Sequence, residues 1–137
     1  MNYKLKSNMK IVICASSKFI DEINFWKQKL VNDGHVVIKY PEKIEGDFLT
    51  GYQKEFTDHY KRITECDALF ILNIKKNNIE GYIGPGVYAE IAFAVGLKRS
   101  QNKQIKIICV NPTPNNLPHS EELKFWESLG WIEIKPR

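Results

Sequence analysis

Two hydrophobic patterns alternate along this chain, and the alternation constrains its fold more than any other feature. Apolar runs at 11–15 and 68–72, and at 36–40 and 105–110 with a single lysine in each, read as strands buried on both faces, as strands of a parallel sheet are. A shorter run at 131–134 alternates apolar with polar residues and reads as an edge strand. Between the runs, Phe19, Ile23, Trp26 and Leu30 recur at helical spacing until Asp33-Gly34 stops the pattern. Tyr52, Phe56, Tyr60 and Ile63 form a second helical stripe, and Val87, Ile91, Ala94 and Val95 a third. A fourth helix is expected over 120–129, with Ser120 as its N-cap and Glu121 and Glu122 complementing the helix dipole.

Strand and helix alternate through five strands. Right-handed crossovers then give an α/β fold, a single doubly wound, flavodoxin- or Rossmann-like domain whose five-stranded parallel sheet runs in the order 2-1-3-4-5. A chain of 137 residues buries enough surface to need neither disulfides nor metal. One domain over 1–137 is therefore expected, with 1–9 as a flexible N-terminal extension. Ligands of such sheets bind beyond the carboxyl ends of the strands, where the strand order reverses. The loop Ala15-Ser16-Ser17-Lys18 after the first strand and the loop from Asn73 to Gly86 after the third should form that cleft. Within the second loop, 75–80 is expected to be mobile and solvated. Asp67 precedes the third strand, at the far end of the sheet, and is expected to be structural.

The composition narrows the classes of partner. An apolar fraction of 43% and a charged fraction of 26% belong to an ordinary globular protein. The net charge of +4 is carried by scattered basic residues, which describes a solvated surface and no nucleic-acid partner. The opening MNYKLKSNMK leads into an apolar run too short for a signal peptide or a membrane span. Cys14, Cys66 and Cys109 lie in or beside apolar runs without CxxC spacing, so they read as buried hydrophobes and no metal or other cofactor is expected. Their odd number fits a reducing compartment, and a cytoplasmic location follows. No G-x-G-x-x-G follows the first strand, against a dinucleotide site. Asn73 and Ala15-Ser16 stand where a phosphoacceptor domain would carry acids.

The candidate chemistry gathers in the second loop. Tyr82, Gly84, Pro85 and Gly86 lead into a helix expected to hold Glu90 in its first turn or so. The glycines permit close backbone approach to a ligand, and the helix start offers free N–H groups to an anion. A carboxylate at the mouth of a cleft can attack an anomeric carbon, yet a glutamate near a helix start is also common for dipole reasons alone. Ser16, Ser17 and Lys18 offer phosphate-binding donors, as any polar turn would. Asn73 ends the third strand within reach of the cleft, and Tyr82 offers a ring to stack on a base or to pack the loop.

The segments CDALFILN and GYIG-x5-EIAFAVGLK, set in this order of strands and helices, resemble the nucleoside 2-deoxyribosyltransferase superfamily, including the 2'-deoxynucleoside 5'-monophosphate N-glycosidases. The likeness spans nearly the whole chain. It implies cleavage of an N-glycosidic bond through a covalent glycosyl-glutamate, with Glu90 as the nucleophile and Ala15, Ser16, Ser17 and Lys18 contacting sugar or phosphate. Asp67 matches the superfamily's aspartate before the third strand. The transferases carry an acid six residues before the nucleophile, where this chain has Gly84. Their sugar-contacting aspartate, eight residues before Asp67, is His59 here, with Asp58 beside it. The missing acid, with a strand-one loop that can be read as a phosphate site, favours hydrolysis of a nucleoside or nucleoside monophosphate over base transfer. His59 is a candidate to join Glu90 in catalysis, although a single helical histidine is more often a surface or core residue. The resemblance also implies a homo-oligomer. The alternative is a non-catalytic nucleotide-binding or sensing module in which Glu90 hydrogen-bonds a ribose.

Overall fold

A computed structural model of the chain describes residues 8–135. Its elements follow in the order β1 (Lys10–Cys14), α1 (Ile20–Asn32), β2 (Val36–Lys39), α2 (Phe48–Glu65), β3 (Ala68–Ile71), α3 (Pro85–Ser100), β4 (Lys106–Cys109), α4 (Ser120–Ser128) and β5 (Glu133–Ile134). The five strands form one parallel sheet in the order β2-β1-β3-β4-β5, the expected doubly wound α/β arrangement. The order reverses between β1 and β3, where Ile11, Val12, Ile13 and Cys14 align with Ala68, Leu69, Phe70 and Ile71.

Side-chain alternation along the central strands divides the core in two. Val12, Cys14, Leu69, Ile71, Ile107 and Cys109 point to one face, where Ile63 of α2, Ile91, Ala94 and Val95 of α3 and Leu123 of α4 cover them. Ile11, Ile13, Ala68, Phe70 and Ile108 point to the other, against Leu30 and Trp26 of α1. Strands apolar at every position are thus explained by burial on both sides. β2 and β5, at the edges, are only partly buried.

Several expectations change in detail. Asn8 and Met9 belong to the fold and not to a flexible extension. The Asn8 N–H donates to the Gly34 carbonyl, and Met9 is buried against the second core. The remainder of that expected extension, 1–7, lies outside the described residues. Ser120 is the first residue of α4, not its cap, and its hydroxyl accepts from the Leu117 N–H at 3.0 Å. The segment 75–80 is exposed at both ends but ordered around a two-residue hairpin. Lys76 and Ile79 exchange backbone bonds of 3.1 and 2.9 Å, with Asn77 and Asn78 at positive φ, as the turns favoured in tight hairpins require. The α2 stripe also departs from a core face: Ile63 is buried, whereas Tyr52 and Phe56 are 48% and 45% exposed. No helix among the described residues is long and apolar enough to cross a membrane.

Cys14, Cys66 and Cys109 are free and buried. Burial pushes the Cys66 and Cys109 thiols up to about 12, with Asp67 and Glu127 adding respectively to the effect. Thiol labelling of the native chain should therefore stay slow as pH rises through the ordinary thiolate range near ~8.5, and become complete on denaturation. Rapid labelling of all three in the folded chain would contradict this packing.

Candidate active site

A cleft of about 490 Å³ opens at the carboxyl ends of β1 and β3, the switch point of the sheet. The loop after β1 contributes Ala15, Ser16 and Ser17, while Tyr82, Gly84 and Gly86 come from the segment that enters α3. Helices α2 and α3 meet beside it and present His59 and Glu90. The expected residues therefore converge, with two exceptions. Lys18 is exposed and absent from the cleft wall. Asn73 is buried below the cleft, where its Nδ2 donates to the Asn111 carbonyl at 2.8 Å and its Oδ1 accepts from the Asn111 N–H at 3.2 Å. Its polar atoms are committed to holding loops together.

The segment Asn73 to Gly86 is shaped by that buried amide. Asn73 Nδ2 also lies 3.4 Å from the Gly81 carbonyl and 3.3 Å from that of Pro112. Gly81 has φ +65°, and a Cβ there would collide with the Pro112 carbonyl, so glycine is required by both conformation and space. Gly84 caps α3 and accepts the Tyr88 N–H at 2.9 Å. A Cβ on Gly84 would press on the Tyr82 phenol at 3.1 Å, whereas one on Gly86 would meet open space. Pro85 fills the first helical position, where its missing N–H costs nothing. The Gly86 and Val87 N–H groups remain without intrahelical acceptors.

Glu90 is in the second turn of α3, not the first, so helix-terminus charge acts on it weakly. Neighbouring side chains hold it instead. His59 Nε2 lies 3.3 Å from Glu90 Oε1 and 3.4 Å from Cys14 Sγ. Burial, reinforced by the charge of Glu90 and a hydrogen bond to it, pushes the Cys14 thiol well above its ordinary range. Cys14 thus stays a neutral thiol, in contact with His59 and within 4.8 Å of the carboxylate. Burial and then the Glu90 charge likewise raise Tyr60, to about 12. The carboxylate is held from behind by these groups and borders the cleft in front.

Side chains that the sequence reading did not assign to the site complete the walls. Lys76, projecting from the Asn77-Asn78 hairpin, sits 3.3 Å from Ser16 Oγ and 5.1 Å above the Tyr82 ring. The Asn-Asn pair was the available signal for that hairpin. Glu55, one turn before His59 on α2, is bonded to Lys39 at the end of β2. Burial alone would lower the Lys39 ammonium, but its bonds to Glu55 and Asp58 more than offset this and hold it above an ordinary lysine. An aromatic row rises along α2, with Phe48–Tyr52, Tyr52–Phe56 and Phe56–Tyr60 centroids 5.8, 5.9 and 4.2 Å apart, and its members line one side of the cleft. The arrangement offers apolar ring faces, a cluster of hydroxyl, ammonium and N–H donors, and two supported carboxylates, Glu90 beside His59 and Glu55 bonded to Lys39. Among known proteins, no family model and no curated protein matches the chain.

Proposed function

We propose that the chain is a member of the nucleoside 2-deoxyribosyltransferase superfamily and cleaves the N-glycosidic bond of a nucleoside or nucleoside monophosphate. The observation that carries this reading is the position of Glu90 on the cleft wall, backed by His59 at 3.3 Å. In the first step a Glu90 oxygen bonds to the anomeric carbon as the carbon–nitrogen bond breaks, and the base leaves, taking up a proton. Water then attacks the same carbon, releases the carboxylate and gives the sugar with net retention. Transfer to a second base would use the same intermediate. His59 and Cys14 keep the carboxylate oriented, Tyr82 and the α2 aromatics offer stacking faces to the base, and no redox cofactor enters. Release of free base from a panel of nucleosides and 5'-monophosphates, followed by chromatography, tests the reading. Ligand binding without base release would favour the sensing module instead.

The monophosphate end is assigned to Ser16, Ser17, Lys76 and the start of α3, whose donors face one region of the cleft. Lys76→Ala should weaken binding of a 5'-monophosphate by about tenfold or more, the scale of a lost charge-assisted hydrogen bond, and leave the parent nucleoside nearly unaffected. Calorimetry on both ligands checks this. Equal losses for the two would remove Lys76 from the phosphate site.

The same reading includes a homo-oligomer in a reducing, cytoplasmic setting. Phe48, Leu49, Tyr52 and Phe56 form an exposed apolar face beside the cleft, larger than a surface helix needs if it is never covered. Sedimentation should give a dimer or higher assembly, and Leu49→Asp should shift it towards monomer. A monomer at all accessible concentrations would refute the assembly.

A further inference from the structure

We propose that Cys14, His59 and Glu90 form a binding site for one thiophilic divalent cation, Zn2+ above all, at the floor of the cleft. Three elements distant in sequence supply the ligands: the end of β1, the middle of α2 and the second turn of α3. One thiol sulfur, one imidazole nitrogen and one carboxylate oxygen lie within 4.8 Å of one another. Tetrahedral Zn2+, with bonds of about 2.3 Å to sulfur and about 2.0–2.1 Å to nitrogen or oxygen, places neighbouring ligand atoms about 3.3–3.6 Å apart. The separations here are 3.4 Å between Cys14 Sγ and His59 Nε2 and 3.3 Å between His59 Nε2 and Glu90 Oε1. Two edges of the tetrahedron therefore already match, and the third, between Cys14 Sγ and the Glu90 carboxylate, lies within 4.8 Å and closes with a shift of the Glu90 side chain at the cleft wall.

The donor set also selects the metal. Sulfur and imidazole suit Zn2+ and Co2+, whereas a single carboxylate gives Mg2+ or Ca2+ too little hard oxygen. Cys14 and His59 are buried and fixed by packing, while Glu90 borders the cleft. The cation enters from the cleft, with water or a bound ligand in its fourth position. As it binds, the Cys14 S–H releases its proton to solvent and a metal–sulfur bond forms, and His59 contributes the Nε2 lone pair with its ring proton on Nδ1. Where Glu90 acts as a nucleophile, the metal holds its carboxylate and Zn2+ inhibits base release until a chelator removes it. That consequence rests on the proposed glycosidase reading, whereas the metal site stands on geometry alone.

The test is Co2+ titration of the untagged, chelator-treated full chain, followed by displacement with Zn2+. One equivalent should bind, with a thiolate-to-cobalt charge-transfer band and release of one proton. The band should vanish in Cys14→Ser and persist in Cys66→Ser and Cys109→Ser. Glu90→Gln, at a partly exposed position that carries no core packing, should fold normally and bind at least about tenfold more weakly. No band in the presence of excess Co2+, a band surviving Cys14→Ser, or unchanged affinity in Glu90→Gln would each overturn the site. A cobalt band in a chain that releases no base from any nucleotide would retain the metal site and reject the glycosidase.

Discussion

Glu90→Gln is expected to lower base release by at least about a thousandfold, the scale on which loss of a covalent nucleophile is felt, while ligand affinity changes little. The amide keeps the shape of the carboxylate and an oxygen that accepts from His59 Nε2, so the contact between α2 and α3 survives. It lacks the negative charge that the proposed attack on the anomeric carbon requires. Single-turnover kinetics on the native and substituted chains, with mass analysis of the quenched native reaction, make the comparison. The native chain should carry a glycosyl adduct on the peptide containing Glu90, and the substituted chain none. Full activity in Glu90→Gln would sink the enzyme reading. Glu42 and Glu55, the other acids on the cleft wall, are held against the Lys39 ammonium, and Glu80, 81% exposed at its side chain, pairs with Lys75 away from the cleft.

The sheet was legible because its central strands are apolar at every position after the exposed lysines that open β1 and β4, which parallel pairing under two layers of helices demands. The runs read one residue too far at their carboxyl ends: Ala15, Tyr40, Leu72 and Val110 lie outside the strands. At Leu72 and Val110 the backbone N–H still donates to the neighbouring strand, to Cys14 and Ile71, so hydrophobicity follows the last ladder bonds past the formal strand ends. Periodicity gave the α2 helix but not the partner of its stripe. Tyr52, Phe56 and Tyr60 recur as core residues would, yet they face the cleft and its rim, and the buried side chains are His59 and Ile63. A hydrophobic stripe states that something covers a face, and does not say whether it is sheet, ligand or another subunit. The grouping of Cys14 with His59 and Glu90 depends on sheet register and helix packing across 45 positions or more of chain. Cys14 accordingly looked like an inert core residue. Lys76 lies in a polar stretch whose composition suggests mobility, whereas the Asn77-Asn78 pair encodes the hairpin that orders it.

Asn73→Ala should destabilise the fold by about 2–4 kcal/mol, a large part of the ~5–15 kcal/mol that holds a domain of this size together. A polar residue at the end of a central strand suits either a ligand or an internal network, and only the loops packed around it decide which. Here Asn73 Nδ2 faces the carbonyls of Gly81, Asn111 and Pro112, and Oδ1 takes the Asn111 N–H. Alanine leaves the carbonyl of buried Gly81 and the carbonyl and N–H of half-buried Asn111 without this partner. Asn73→Asp is the sharper probe, because it keeps the size of the side chain and turns an oxygen towards three carbonyl oxygens. Its carboxyl titrates above an ordinary aspartate in the folded chain, since burial and the carbonyls disfavour the charge. The loss of stability should therefore be at least as large as in Asn73→Ala at neutral pH, and should shrink as pH falls and the carboxyl regains a proton to donate. Urea midpoints for the native chain and both variants across this pH range provide the measurement. Stability unchanged in Asn73→Asp, with nucleotide affinity lost instead, would return Asn73 to the ligand and undo the account of the loops that form the cleft.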